Sequence, residues 1–166
     1  MKKGDLLELD ITGYAFEGKG VVKIIKEVHT QDESTVKKFV VFVDGSYPGD
    51  KVIAQIRKVR SSYAEAKVKE LIIKSPLHVK ANCKYFGVCG GCKAQDLTYE
   101  QQIKFKEEQV KDIFERIGGF KDFEMEPIIP AAKIFFYRNK MEYSFAEKRW
   151  LSEDEIGSMQ EIPDKD

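Results

Sequence analysis

Apolar and polar positions alternate strictly near the start of the chain, where Leu7, Leu9 and Ile11 are separated by Glu8 and Asp10. A period of two puts one side of a segment in a core and the other in solvent, the signature of a β-strand. The period returns at Val52, Ala54 and Ile56 and again at Ala64, Ala66 and Val68. Two further runs, Val21–Ile25 and Phe39–Val43, are β-branched or aromatic and also read as strands. Turn signals separate them. Gly13, Gly18 and Gly20 surround the first turn, residues 29–37 (HTQDESTVK) read as a polar hairpin loop, and Asp44–Asp50 (DGSYPGD) is dense in turn formers. A bend falls near Ser61 and Ser62. Five short strands in about 70 residues, with no helical stretch between them, predict a small closed or nearly closed OB-like barrel.

The pattern changes after Pro76. Thr98 followed by Gln101 fits a capping box, and Ile103, Val110, Ile113, Phe114 and Ile117 then recur at helical spacing, a stripe expected to face a core. Gly118 and Gly119 supply the stop. Beyond them EPIIPA (126–131) and FFYRNKMEYSF (135–145) read as strands, and the stretch from Glu147 is acidic and weakly patterned. The expected organisation is a mainly β barrel over 1–75 and a partial α+β unit over 76–166.

Composition narrows the class. The 42% hydrophobic and 11% aromatic content argues against disorder. No apolar run reaches the roughly 20 residues of a membrane-spanning helix, and MKKGDLLELD lacks the apolar core of a secretory signal. A soluble, cytoplasmic, monomeric protein is expected. The charge is balanced at 28 basic and 28 acidic residues, but unevenly spread: +3 over 1–74, +2 over 75–121 and −5 over 122–166. Between 51 and 69, Lys51, Arg57, Lys58, Arg60, Lys67 and Lys69 face a single acid, Glu65. That run suits a polyanion such as single-stranded nucleic acid, although a solvated strand face explains it as well.

All three cysteines fall within ten residues, as Cys83, Cys89 and Cys92 in a C-x5-C-G-G-C arrangement. Three cysteines cannot all pair within one chain, which argues against a disulfide framework. Their neighbours, Lys84, Lys93 and a pair of glycines, belong to a loop rather than a core strand. Thiolates suit zinc or an iron–sulfur cluster, and Gly90 and Gly91 would let the backbone curl around a bulky centre. Zinc would need a fourth ligand, with His78 the candidate nearby; a cubane needs a fourth cysteine, which the chain lacks.

Several segments, taken in order, resemble the N-terminal part of the RNA uracil-5-methyltransferase family. GYAFEGKGVV (13–22), FVDGSYPGDKV (42–52) and RKVRSSYAEAKV (57–68) are similar to TRAM-domain signatures. CKYFGVCGGCKAQDLTYEQQIKFK (83–106) is similar to the family's iron–sulfur stretch, and YRNKMEYSF (137–145) to its central-domain strand. The resemblance implies a TRAM barrel, then a central domain with a 4Fe–4S cluster on Cys83, Cys89 and Cys92, with RNA, expected to be ribosomal, as the partner. The family's S-adenosylmethionine-binding loop, nucleophilic cysteine and general base belong to a C-terminal domain with no counterpart here. The chain is therefore expected to be a portion of such an enzyme, inactive by itself and with an incomplete ligand set for the cluster.

Candidate RNA contacts are Arg57, Lys58, Arg60 and Lys67 on the barrel, with Arg138 and Lys140 in the expected late strand. Adjacent in a strand, Arg57 and Lys58 should point to opposite faces. Tyr63 and Phe16 are candidate stacking platforms, edge packing being the alternative for Tyr63. Tyr85 and Phe86 would shield the cluster from water, and His29 would be solvated. The competing reading is a stand-alone iron–sulfur or zinc RNA-binding module. A radical enzyme combining a cluster with a TRAM unit fits less well, because its cysteine spacing is tighter and its domain order reversed.

Overall fold

The computed structural model describes residues 1–29 and 34–140 and the single positions 142, 145 and 147, with side chains left out between 26 and 37. Six strands precede one helix: β1 (Leu6–Asp10), β2 (Gly13–Ala15), β3 (Lys19–His29), β4 (Ser34–Asp44), β5 (Lys51–Val59) and β6 (Tyr63–Ile73), then α1 (Tyr99–Asp112). A 3-10 turn, Phe16–Gly18, links β2 to β3, and a π-helical turn, Ile113–Ile117, extends α1.

The sheet order is β1-β5-β6-β4-β3-β2, with β4 and β6 parallel and the other neighbours antiparallel. Its two edges are consecutive in the chain. Ile11 N–H donates to Asp50 O at the start of β5, and Thr12 N–H donates to Val21 O in β3. One segment, bent at Ile11–Thr12, thus forms both ends of the sheet, and the sheet must curl into a partly open barrel. This is the expected OB-like architecture, with β2 as an added short continuation of the first strand.

The period of two sets the interior. Val52, Ala54 and Ile56 from β5 are fully buried against Val41 and Val43 of β4 and Ala64 of β6. The alanines leave room for the larger branched side chains inside a small barrel. Gly20 is required by close approach: a Cβ there would meet Ser46 Oγ and lie 2.7 Å from Ile11 Cγ2. Residues 29–37 are not all loop, because Ser34–Val36 pair with Glu27–His29 and lengthen the hairpin; residues 30–33 lie outside the described residues.

The second half departs further from expectation. Thr98 makes no side-chain cap. Gln102, one residue past the expected partner, instead donates to Ala94 O and Leu97 O, both at 2.9 Å, and ties the helix start to the incoming loop. Phe105 is the buried residue of α1, whereas Val110, Ile113, Phe114 and Ile117 are exposed. The stripe faces no buried core among the described residues; Phe114 meets the rings of Phe120 and Phe123, at 5.7 and 5.5 Å between centroids. Residues 126–131 form no strand: Pro127 and Pro130 lack N–H groups, and helix side chains take the neighbouring donors. Ile128 N–H donates to Glu107 Oε1 and Ala131 N–H to Tyr99 Oη. Residues 135–140 are irregular as well, and 141, 143 and 144 lie outside the described residues.

A second apolar cluster joins the two halves. Tyr47, Leu97 and Phe105 are buried together, with Tyr14, Leu77 and Ala94 packed against them.

Candidate nucleic-acid interface

The cysteine segment is a loop with a closed neck. His78 and Leu97 form an antiparallel bridge. Val79 N–H donates to Asp96 O at 2.7 Å and Thr98 N–H to Leu77 O at 3.4 Å. Residues 80–95 thus leave the barrel flank and return to the same point.

A polar network fastens this neck to the barrel. Asp50, at the mouth of β5 and 1% exposed, accepts from Tyr47 N–H and Ser75 N–H, both at 2.7 Å. His78 Nε2 lies 2.9 and 3.0 Å from the two Asp50 oxygens, while its Nδ1 lies 3.4 Å from Asp96 Oδ2. Tyr47 Oη donates to Asp96 Oδ1, and the Tyr47 ring meets the His78 ring edge-on at 4.7 Å. Both ring nitrogens of His78 therefore face carboxylates, and the imidazole is not available as a fourth zinc ligand. Burial, reinforced by the hydrogen bond to Asp96, pushes the Tyr47 hydroxyl far above the usual phenol range. Tyr14 is pushed up to about 12, chiefly by burial and secondarily by the Asp96 charge. Both phenols stay neutral at ordinary pH, and Tyr47 acts as the donor to Asp96.

None of these four residues, Tyr14, Tyr47, Asp50 and Asp96, was a candidate on sequence. The tyrosine and aspartate of the SYPGD turn read as turn chemistry, and their second role depends on residues 28 and 49 positions further along the chain.

Cys83, Cys89 and Cys92 are all exposed thiols. Gln95 organises the loop: its Oε1 accepts from Cys83 N–H at 2.7 Å, and its Nε2 lies 3.6 Å from Cys92 Sγ, a donor suited to a thiolate. Gly90 takes a left-handed backbone conformation at the turn between Cys89 and Cys92. Among the described residues no three Cys, His, Asp or Glu side chains gather closely enough to hold a metal ion. The loop supplies the right donor atoms and an amide aimed at one sulfur, with the sulfurs not converged. Tyr85 is exposed, with Lys84 Nζ 4.8 Å from its ring centroid, and Phe86 is half-buried.

The basic residues of β5 and β6 are placed differently from the simple alternation. A bulge falls between Ile56 and Lys58, so Arg57 and Lys58 are both exposed rather than on opposite faces. Lys58 Nζ lies 3.7 Å from Glu65 Oε1, which offsets its charge. Arg60 and Lys67 are exposed, and Arg60 N–H closes the hairpin on Tyr63 O at 2.8 Å. Tyr63 packs edge-on against Phe42, centroids 5.8 Å apart, so its ring serves the barrel surface. Phe16 is 54% exposed on the 3-10 turn, an accessible platform. Arg138 and Lys140 are exposed outside any strand: Arg138 Nε donates to Lys140 O, and Lys140 pairs with Glu142 at 2.7 Å. They are not brought next to the β5 basic run by a shared sheet.

The class follows from the barrel: residues 2–69 match the TRAM domain family. Most of the chain has relatives as well. It is 42% identical over 142 residues to an uncharacterized RNA methyltransferase of Bacteroides thetaiotaomicron, covering 86% of this chain and 29% of that protein. It is 40% identical over 160 residues to another from Chlorobaculum tepidum, covering 96% of this chain and 31% of the relative. Among solved structures it is similar to the Pyrococcus abyssi tRNA (uracil-54, C5)-methyltransferase in complex with S-adenosyl-L-homocysteine, with 27% identity, a TM-score of 0.38, and coverage of 72% of this chain and 25% of that one. The chain thus carries a TRAM domain over residues 2–69 and is similar over most of its length to part of these RNA methyltransferases. It spans about three tenths of the length of the curated relatives it matches. Among the described residues no helix is long and apolar enough to cross a membrane.

Proposed function

We propose that this chain is the RNA-gripping portion of an S-adenosylmethionine-dependent RNA (uracil-5-)-methyltransferase, acting on ribosomal RNA, 23S in particular, in the cytoplasm as a monomer. The observation that carries the RNA reading is the TRAM barrel with Arg57 on β5, Arg60 in the turn that follows and Lys67 on β6, all exposed. The relatives' name supports the methyl-transfer reading, and the sequence resemblance supports the uracil and ribosomal assignments. Within this reading, residues 1–75 are the barrel and 76–166 part of the central domain. Methyl transfer to carbon 5 of uracil belongs to a remainder of the enzyme that binds the methyl donor. What these residues contribute is phosphate contact, which fixes the register of the RNA, and a rigid seat for the cysteine loop.

The same reading assigns Cys83, Cys89 and Cys92 to three corners of an iron–sulfur cluster, with the fourth ligand from outside this chain. Gln95 would support it through its contact with Cys92 Sγ. Anaerobic reconstitution should give iron and sulfide that require all three cysteines; zinc retained in their place would overturn the assignment.

Binding of single-stranded RNA as a function of salt tests the barrel. Each phosphate contact contributes a slope of about −0.7, so Arg57→Ala with Arg60→Ala should lower the slope magnitude by about 1.4. Adding Lys58→Ala should change little, because Glu65 already holds that ammonium. An unchanged slope in the double variant would remove this face from the RNA site.

A further inference from the structure

A cleft of about 210 Å³ opens between the 3-10 turn of the barrel, the end of the cysteine loop and α1. Its apolar lining includes Tyr14 and Phe105, whose rings lie 4.7 Å apart and are inclined by 31°. Lys93 and Lys106 stand on its rim, one from the residue after Cys92 and one from α1. Neither makes an ion pair among the described residues, and both are exposed. The acid at the rim, Glu17, is already taken up by Lys19 at 3.1 Å. Gln109, on the next turn of α1, also lines the cleft, and its side-chain amide has no hydrogen-bond partner among the described residues.

These features point to one kind of occupant. The volume lies below the ~300 Å³ at which drug-sized ligand pockets begin, which suits a single planar ring. The part-exposed Tyr14 ring, backed by the buried Phe105, accepts the face of any base, and unpaired lysines at the rim suit the phosphate attached to it. An amide at the side can meet a base edge with either a donor or an acceptor.

The barrel and loop are held close enough to keep this shape. A Cβ on Gly18 would lie 3.2 Å from both Lys93 Cβ and Tyr14 Oη. Gly18 also takes a left-handed φ of 76°, next to Glu17 at 64°. The turn is therefore pressed against the loop in a backbone conformation that few side chains tolerate.

We propose that this cleft receives one unstacked base of the bound RNA strand, with Lys93 and Lys106 on the flanking phosphates. The proposal rests on the RNA-binding reading above and adds a specific subsite to it. It places a base beside the cysteine loop, well away from the β5 basic run in sequence, so a strand would be gripped at two places.

The test uses the full chain and a single-stranded oligouridylate of about ten nucleotides carrying 4-thiouridine, a length within the span one OB-type fold covers. Irradiation followed by peptide mapping should place crosslinks in the peptides containing Tyr14 or Phe105. Lys93→Ala with Lys106→Ala should abolish those crosslinks and weaken binding about tenfold, with the thermal melt unchanged because both side chains are exposed. Replacing the uridines by abasic ribose phosphate should cost the wild type a similar factor while leaving the salt slope intact. Binding with crosslinks confined to the β5–β6 face would overturn the subsite and leave the RNA reading standing. Absence of any salt-sensitive binding would overturn both.

Discussion

The barrel and the stretch after α1 have similar apolar content but treat it in opposite ways. In the barrel Val41, Val43, Val52, Ala54, Ile56 and Ala64 are withdrawn from solvent, each facing a neighbour across the curled sheet. Between 113 and 140, Ile117, Ile129, Phe136 and Tyr137 stand open to solvent at 74% exposure or more. The difference lies in closure rather than hydrophobicity. A sheet whose two edges are one continuous segment makes its own interior, whereas a helix and the irregular chain behind it offer one side only. Exposed apolar surface of this extent marks a face that works by contact.

The sharpest way to break this contrast is to truncate one side chain in each region. Ile56→Ala should cost about 2–5 kcal/mol, the usual range for a buried large-to-small change that leaves a cavity. Ile117→Ala, at 81% exposure, should stay within about 0.5 kcal/mol. Urea denaturation of the two variants decides it, and equal losses would mean that Ile117 is buried in solution.

The polar neck is the next test, because it joins the self-sufficient region to the dependent one. Asp50→Asn keeps the shape but puts an amide donor where backbone N–H groups and His78 already point, which should cost about 2–3 kcal/mol. The same variant should raise proteolytic cleavage within 80–95 more than within β3 or β4. Cleavage raised evenly would show that Asp50 supports the barrel rather than the loop's attachment.

The smallest effect concerns alkaline pH. Tyr14 is raised to about 12 from the ordinary phenol value of 10.0, so the folded chain holds this proton more tightly than the unfolded chain. Its contribution is present in full below about pH 10 and is lost as pH rises toward 12. Because Tyr14 is only part-buried, the loss should be about 1 kcal/mol after allowance for solvent screening. Tyr14→Phe should flatten the fall in melting temperature over that interval. A fall of the same steepness would assign it to Tyr47 or to other groups.

The sequence was a good guide wherever structure depends on near neighbours. Alternation in β1, β5 and β6 depends only on successive side chains pointing to opposite sides, so the five main strands and their buried positions were legible. The grouping of Cys83, Cys89 and Cys92 on one loop was legible for the same reason. Legibility failed where a partner from elsewhere intervened. Arg57 and Lys58 alternate on paper, yet the pairing of β5 with β6 slips between Ile56 and Lys58 and exposes both. EPIIPA has the composition of a strand, but Glu107 and Tyr99 on α1 claim the N–H groups of Ile128 and Ala131.

The sequence by itself determined that a barrel forms, that a helix follows, and that three thiols share a loop, since each follows from local geometry and short-range spacing. Only the tertiary structure decided that His78 sits between Asp50 and Asp96, that Phe105 rather than Ile117 is the buried residue of its helical stretch, and that Tyr14 forms a cleft with the far side of the cysteine loop. The physical reason is common to all three. Burial and hydrogen-bond partnership depend on what lies opposite a side chain, and that is fixed by the chain's closure in space, which no local pattern contains.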